Sequence, residues 1–302
     1  EALALPAAAT VVFNLARVTE ARGHSGNARA LYGALLGASP GYADCHLRLA
    51  CMARDCGDVE TAAAEFDKAI KTAMATYEAR GATAQAAASA SARLQLGQLL
   101  CGRRDWVEAQ RQFETVLGHK SLQSDSYALL SMAVLYAESL AVPGREARHF
   151  EHATEFLRHV MKSDASNVYA ANGLGVLLAR SGAVDAAAEV FTSIRQRTAD
   201  MPHAWVNLAH VHVLRGEFVT AATLYRGCLA KFGGGGGVGV SGVGVGGARA
   251  DRELMMALAF AEHEGQMYPE AMGTLRRATR VDPADTLAWY NLAIVCQSYA
   301  LY

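Results

Sequence analysis

Tyr169–Lys231 reads YAANGLGVLLARSGAVDAAAEVFTSIRQRTADMPHAWVNLAHVHVLRGEFVTAATLYRGCLAK. Laid over itself, Gly175 falls on Ala209, Gly182 on Gly216, Ala187 on Ala221 and Phe191 on Tyr225, an offset of 34 residues each time. Leu174 and Leu178, then Ala187, Phe191 and Ile194, recur at spacings of three or four, so each half of the unit carries one apolar stripe of a helix. Gly182 and Gly216 separate the halves and let the chain turn back. The small residues at Gly175 and Ala187 predict two helices in close approach, since a large side chain at either place would hold them apart.

A 34-residue period with small residues in fixed slots resembles the tetratricopeptide repeat (TPR). The resemblance implies an all-α TPR α-solenoid, a right-handed superhelix of helix-turn-helix repeats whose inner face is lined chiefly by the first helix of each pair. Working outward, the slots recur at Ala16 and Ala28, Ala50 and Ala62, Gly97 and Ala109, Ala259 and Ala271, and finally Ala293. Pro40 and Pro283 follow second helices, where they stop a further turn. Gly97 comes 47 rather than 34 residues after Ala50, because an Ala-rich joint at 71–91 intervenes. There we expect a lengthened second helix followed by a loop or an extra turn, with Gly81 the one breaker. A second irregular joint is expected at 141–150, with Pro143 and Gly144 at the turn. The organisation is thus six repeats over 1–232, a Gly/Val-rich flexible loop over 233–249, and at 250–302 a seventh repeat with the first helix of an eighth.

Hydrophobic residues make up 52% of the 302 and charged residues 19%, enough apolar surface for a core and too little charge for a disordered tail. The net charge of −1, from 28 basic and 29 acidic residues, supplies no field for nucleic acid or an anionic membrane, and no groove-reading motif accompanies it. No run of about twenty apolar residues predicts a membrane span. No signal peptide is expected either. A start without Met and a stop halfway through a repeat suggest part of a longer protein. Six cysteines form no CxxC pair and are expected to be reduced thiols.

Three constellations carry possible chemistry. Gly237–Gly242 matches GxGxxG, but a helix precedes it and Gly/Val repetition surrounds it, so no dinucleotide site is expected. His149, Glu151, His152 and His159 could share a helix face, yet no full metal-ligand set is evident and a solvated face is the expectation. No nucleophile has a partner base. The reading is therefore not an enzyme, with no catalytic residue, metal or cofactor. Arg17, Glu20, Arg54, Asp55, Gln98, Arg180 and His210 occupy first-helix positions expected to face a partner-binding groove, or else are ordinary surface residues.

Four strings are more specific than the slots. They are GYADCHLRLACMARDCGDVETAAAEFDKAI (41–70), QSDSYALLSMAVLY (123–136), SNVYAANGLGVLLARSGAVDAAAEVFTSIRQRTAD (166–200) and AWVNLAHVHVLRGEFVTAATLYRGCLAKF (204–232). Together they resemble the large TPR scaffold subunit of the RNA polymerase II-associated factor (PAF) complex, although the Gly/Val tract departs from that family's short charged connection. The resemblance implies a nuclear, non-catalytic scaffold that holds the complex's namesake subunit and its parafibromin-type subunit. It implies action with the RNA polymerase II elongation complex, in transcription elongation and coupled histone modification. Two other readings are a chaperone-binding TPR co-factor, which would grip a carboxylate through residues such as Asn14, Asn207 and Asn291, and the TPR regulatory part of a glycosyltransferase.

Overall fold

A computed structural model describes residues 4–78, 81–141, 144–198, 200–233 and 247–302. Among these residues the regular structure is entirely helical, with fifteen α-helices and one 3₁₀ turn. The chain divides into two compact units, residues 1–149 and 150–302.

The first unit contains α1 (Ala4–Ala21), α2 (Ser25–Ala38), α3 (Ala43–Asp55), α4 (Val59–Thr76), α5 (Ala82–Gly102), α6 (Trp106–Leu117) and α7 (Ser126–Glu138). α8 (Glu146–Ser163) begins at its end and runs into the second unit. The second unit continues with α9 (Val168–Arg180), α10 (Val184–Arg197), α11 (Pro202–Leu214), α12 (Phe218–Phe232), α13 (Gly247–Glu264), α14 (Tyr268–Val281) and α15 (Thr286–Leu301). Local chemistry sets the starts. Asp58, Asp125 and Asn167 each accept a hydrogen bond from the backbone N–H three residues on, at 3.1, 2.8 and 3.0 Å, and so satisfy a donor left open by the first turn.

The turns within pairs need a left-handed residue. Gly23, Gly57, Gly182 and Gly216 supply it, each seven residues after a small slot. In two repeats the same place holds Arg104 (φ 62°) and Gln266 (φ 59°), which carry a Cβ into that region. Arg104→Gly should therefore raise the unfolding free energy by about 1 kcal/mol, relief of the strained side chain outweighing the entropy glycine adds to the unfolded chain. A urea midpoint that stays put or falls would contradict this.

Small slots and large side chains meet sixteen residues apart. Ala16, Ala50, Ala209 and Ala259 are buried, and so are Tyr32, Phe66, Tyr225 and Leu275. Where the slot is glycine the fit is tightest. A Cβ on Gly175 would lie 2.7 and 2.8 Å from Cε1 and Cζ of Phe191. On Gly97 it would lie 2.7 and 2.9 Å from Cζ and Cδ1 of Phe113, and closer still to Cε1. The second-helix slots Ala28, Ala62, Ala109, Ala187, Ala221 and Ala271 are all fully buried. Ala293 is not: α15 buries only Ala288 and Val295, so Ala293 is exposed.

The joints differ from the sequence reading. The Ala-rich residues do not simply lengthen a second helix. α4 ends at Thr76, Gly81 turns the chain at φ 86°, and residues 82–91 extend α5, the next first helix. At 141–150, α8 already begins at Glu146, while residues 142–143 lie outside the described residues. Of the Gly/Val tract, 234–246 lies outside the described residues, including the GxGxxG match, and 247–249 belong to α13 rather than to a loop.

Candidate functional site

Side chains on successive first helices bond to one another, and these bonds mark one common side within each unit. On that side Glu20 of α1 accepts from Tyr32 Oη at 2.8 Å and from Arg48 Nε of α3 at 3.2 Å, with a second contact from Arg48 Nη2. Burial first, and then the Glu20 carboxylate, raise the Tyr32 phenol pKa, so it stays a donor. Glu20 is therefore a structural acceptor for a buried hydroxyl and an arginine, and not an open groove carboxylate.

Further along, Arg54 of α3 donates to Asp55 Oδ1 through Nε and Nη2, at 3.1 and 3.0 Å, and to Gln95 Oε1 of α5. Gln95 and Gln98 in turn donate to Tyr127 Oη of α7 at 3.3 and 2.7 Å. Asp55, Arg54, Gln95, Tyr127 and Gln98 thus form one hydrogen-bonded row across three first helices. Arg54 and Gln98 spend much of their capacity holding neighbouring repeats in register. Arg17 is exposed on α1. The tyrosine that ties the row together was not among the residues singled out from sequence; its place as the second residue of α7 carries no signal for such a role.

The second unit repeats the device more sparsely. Asn207 Nδ2 of α11 donates to Asn172 Oδ1 of α9 at 3.0 Å, and His263 Nε2 of α13 lies 3.0 Å from Ser298 Oγ of α15. Asn207 is thus engaged within the array, while Asn14 is exposed and Asn291 half-buried. Arg180 is exposed at the end of α9. His210 reaches solvent on α11 with its ring edge-on to Tyr225, centroids 5.6 Å apart. The protein packed around His210 and His203 lowers both pKa values, so this stretch is uncharged at neutral pH.

The remaining clusters are structural. His149 Nδ1 lies 2.8 Å from Ser139 Oγ, and its ring stands edge-on to Tyr136 at 5.3 Å. It is a staple between the 3₁₀ turn Ser139–Ala141 and α8 rather than part of a solvated face. No group of three or more His, Cys, Asp or Glu that could hold a metal occurs among the described residues. All six cysteines are free; burial pushes Cys45 and Cys101 up to about 12 and Cys228 to about 11, so these stay protonated.

Residues 13–79 and 145–202 match the family model described as tetratricopeptide repeat. Two solved structures share the fold. One is a tetratricopeptide repeat protein from Parabacteroides merdae, with TM-score 0.65 and 11% identity, over 95% of this chain and 98% of that one. The other is a chain of the APC/C hetero-tetramer Cut9-Hcn1, with TM-score 0.64 and 14% identity, over 90% of this chain and 46% of that one. The chain is a tetratricopeptide-repeat solenoid protein. Among curated proteins it is 30% identical to the Protein CTR9 homolog of Arabidopsis thaliana over 298 residues, which is 95% of this chain and 25% of that one. It is 26% identical to the RNA polymerase-associated protein CTR9 of Caenorhabditis elegans over 96% of this chain and 24% of that one. The chain spans about a quarter of the length of these relatives.

Proposed function

We propose that the chain is a non-catalytic protein-binding scaffold of the PAF complex, working in the nucleus with the RNA polymerase II elongation complex and in the histone modification coupled to it. Its partners on this reading are other PAF subunits, namely the namesake and parafibromin-type subunits. The observation that carries the reading is the similarity, along 95% and 96% of the chain, to proteins named for CTR9. The physics is that of a passive support. Helices locked by slot packing and by bonds between neighbouring repeats present a surface already in shape, so little ordering entropy is lost when a partner docks.

Affinity purification of the intact protein with mass spectrometry tests it. The expected result is recovery of PAF subunits and RNA polymerase II. Recovery of chaperones, or of a linked glycosyltransferase activity, in their place would overturn it.

A further inference from the structure

The outward face of α14 is arginine. Ala271, Thr274, Leu275, Ala278 and Thr279 of this helix are buried. Away from them Arg276, Arg277 and Arg280 are exposed, within an arc of about 100° at ~3.6 residues per turn. None of these three guanidinium groups has an ion pair or a hydrogen bond among the described residues. The acids that follow, Asp282 and Asp285, are held by Arg252 of α13. Gly273, one turn earlier in the same arc, has nothing within 4 Å of a prospective Cβ, so the helix surface beside the arginines stays open.

The fold does not need this arrangement. The negative end of the helix dipole favours Arg280, in the last turn, but fades before Arg276 and Arg277. Like charges four residues apart, as in Arg276 with Arg280, disfavour a helix.

The extent of the patch selects its occupant. Arg276 and Arg280 are about 6 Å apart along the axis at ~1.5 Å per residue. Alternate residues of an extended chain are about 7 Å apart on one side. Two carboxylates at that spacing can meet both guanidinium forks. Carboxylates also border the patch at both ends, Glu270 two turns before Arg277 and Asp282 just after Arg280. A nucleic-acid strand, charged at every step, would run onto them, whereas a short acidic segment does not.

We propose that the outer face of α14 docks a short extended segment of a partner protein with acidic residues at alternate positions, its carboxylates paired with Arg276, Arg277 and Arg280. This rests on the scaffold reading above. It adds a contact on a second helix, away from the first-helix groove.

The test uses the full chain at low ionic strength, where exposed charges are least screened. The labelled probes are a peptide of about eight residues alternating glutamate and serine, and a thymidine oligonucleotide of similar length. Fluorescence anisotropy should show the peptide binding the tighter. The triple variant Arg276→Gln/Arg277→Gln/Arg280→Gln should weaken it about tenfold, with an unchanged far-ultraviolet dichroism spectrum, all three side chains being exposed. Gly273→Glu places a carboxylate in the open space and should weaken it as well. Removing three positive charges from other second helices, as Arg158→Gln/Lys162→Gln/Arg197→Gln, should change the affinity less than about twofold. Equal losses in the two triple variants, or unchanged affinity in both Gly273→Glu and the α14 triple variant, overturn the proposal. So does an oligonucleotide that binds as tightly as the peptide and is lost in the α14 triple variant, which would give the face to nucleic acid. If the peptide fails to bind while PAF subunits still co-purify, this proposal fails and the scaffold reading stands. If the peptide behaves as stated while those subunits are absent, the PAF reading fails alone.

Discussion

Gly97→Leu lowers the unfolding free energy by about 3 kcal/mol or more, seen as a fall in the urea midpoint. Even the first carbon of the new side chain meets the ring of Phe113, with Cζ and Cδ1 at 2.7 and 2.9 Å. Phe113 is fully buried on α6 and cannot swing into solvent. The helices must separate, and separation loses contacts along the whole α5–α6 interface. Gly33→Ala is the matching control. Gly33 sits inside α2 with nothing within 4 Å of a prospective Cβ, so alanine there should stabilise by about 1 kcal/mol through helix propensity alone. Gly175→Leu should resemble Gly97→Leu, because Phe191 stands in the same relation to it. Equal effects at Gly33 and Gly97 would mean that slot packing does not hold the pairs together.

Arg226→Ala destabilises the second unit by about 3 kcal/mol, the low end for breaking a buried ion pair because the guanidinium is half-exposed. Glu262 of α13 is 1% exposed. Its Oε1 accepts from Arg226 Nε and Nη2 of α12 at 3.0 and 2.7 Å, and its Oε2 from Thr274 Oγ1 of α14 at 2.8 Å. Truncating the arginine leaves a carboxylate sealed from water with one neutral donor. Removing the whole group, as Arg226→Met/Glu262→Leu/Thr274→Val, should recover most of the loss, since similar apolar side chains need no compensation. If the triple variant is as unstable as the single one, the cause lies in packing rather than in the stranded charge. Thermal melts of the single and triple variants decide between the two.

The period was legible because it depends on residue size at fixed separations, and Ala16, Ala50, Gly175 and Ala209 show that in the bare sequence. The joint before the third repeat was not. Alanine favours helix without favouring a side, so Lys71–Ser91 announces helix and hides which helix owns it; only Gly81 breaks the run, and α5 begins one residue later. The candidate site was half legible. Slot counting puts Glu20, Arg54 and Gln98 on first helices, but it cannot show that Arg48, Gln95 and Tyr127 one repeat away take up their bonding capacity. Arg54 and Gln95 are brought together through the irregular joint, so no fixed offset predicts them. Glu262 carries no signal in the sequence, because nothing in the spacing says that Arg226, 36 residues earlier, reaches over it.

The partnership of a small residue with a bulky one sixteen positions later has a genetic corollary. Each such pair is closed within its own hairpin, so recombination that duplicates or deletes one whole unit in the regular part of the array disturbs only the two hairpins at the cut. An insertion of another length between two hairpins is likewise felt only at that joint, as at the alanine-rich tract, because every downstream pair keeps its own spacing; one that falls between the two members of a pair opens that hairpin alone.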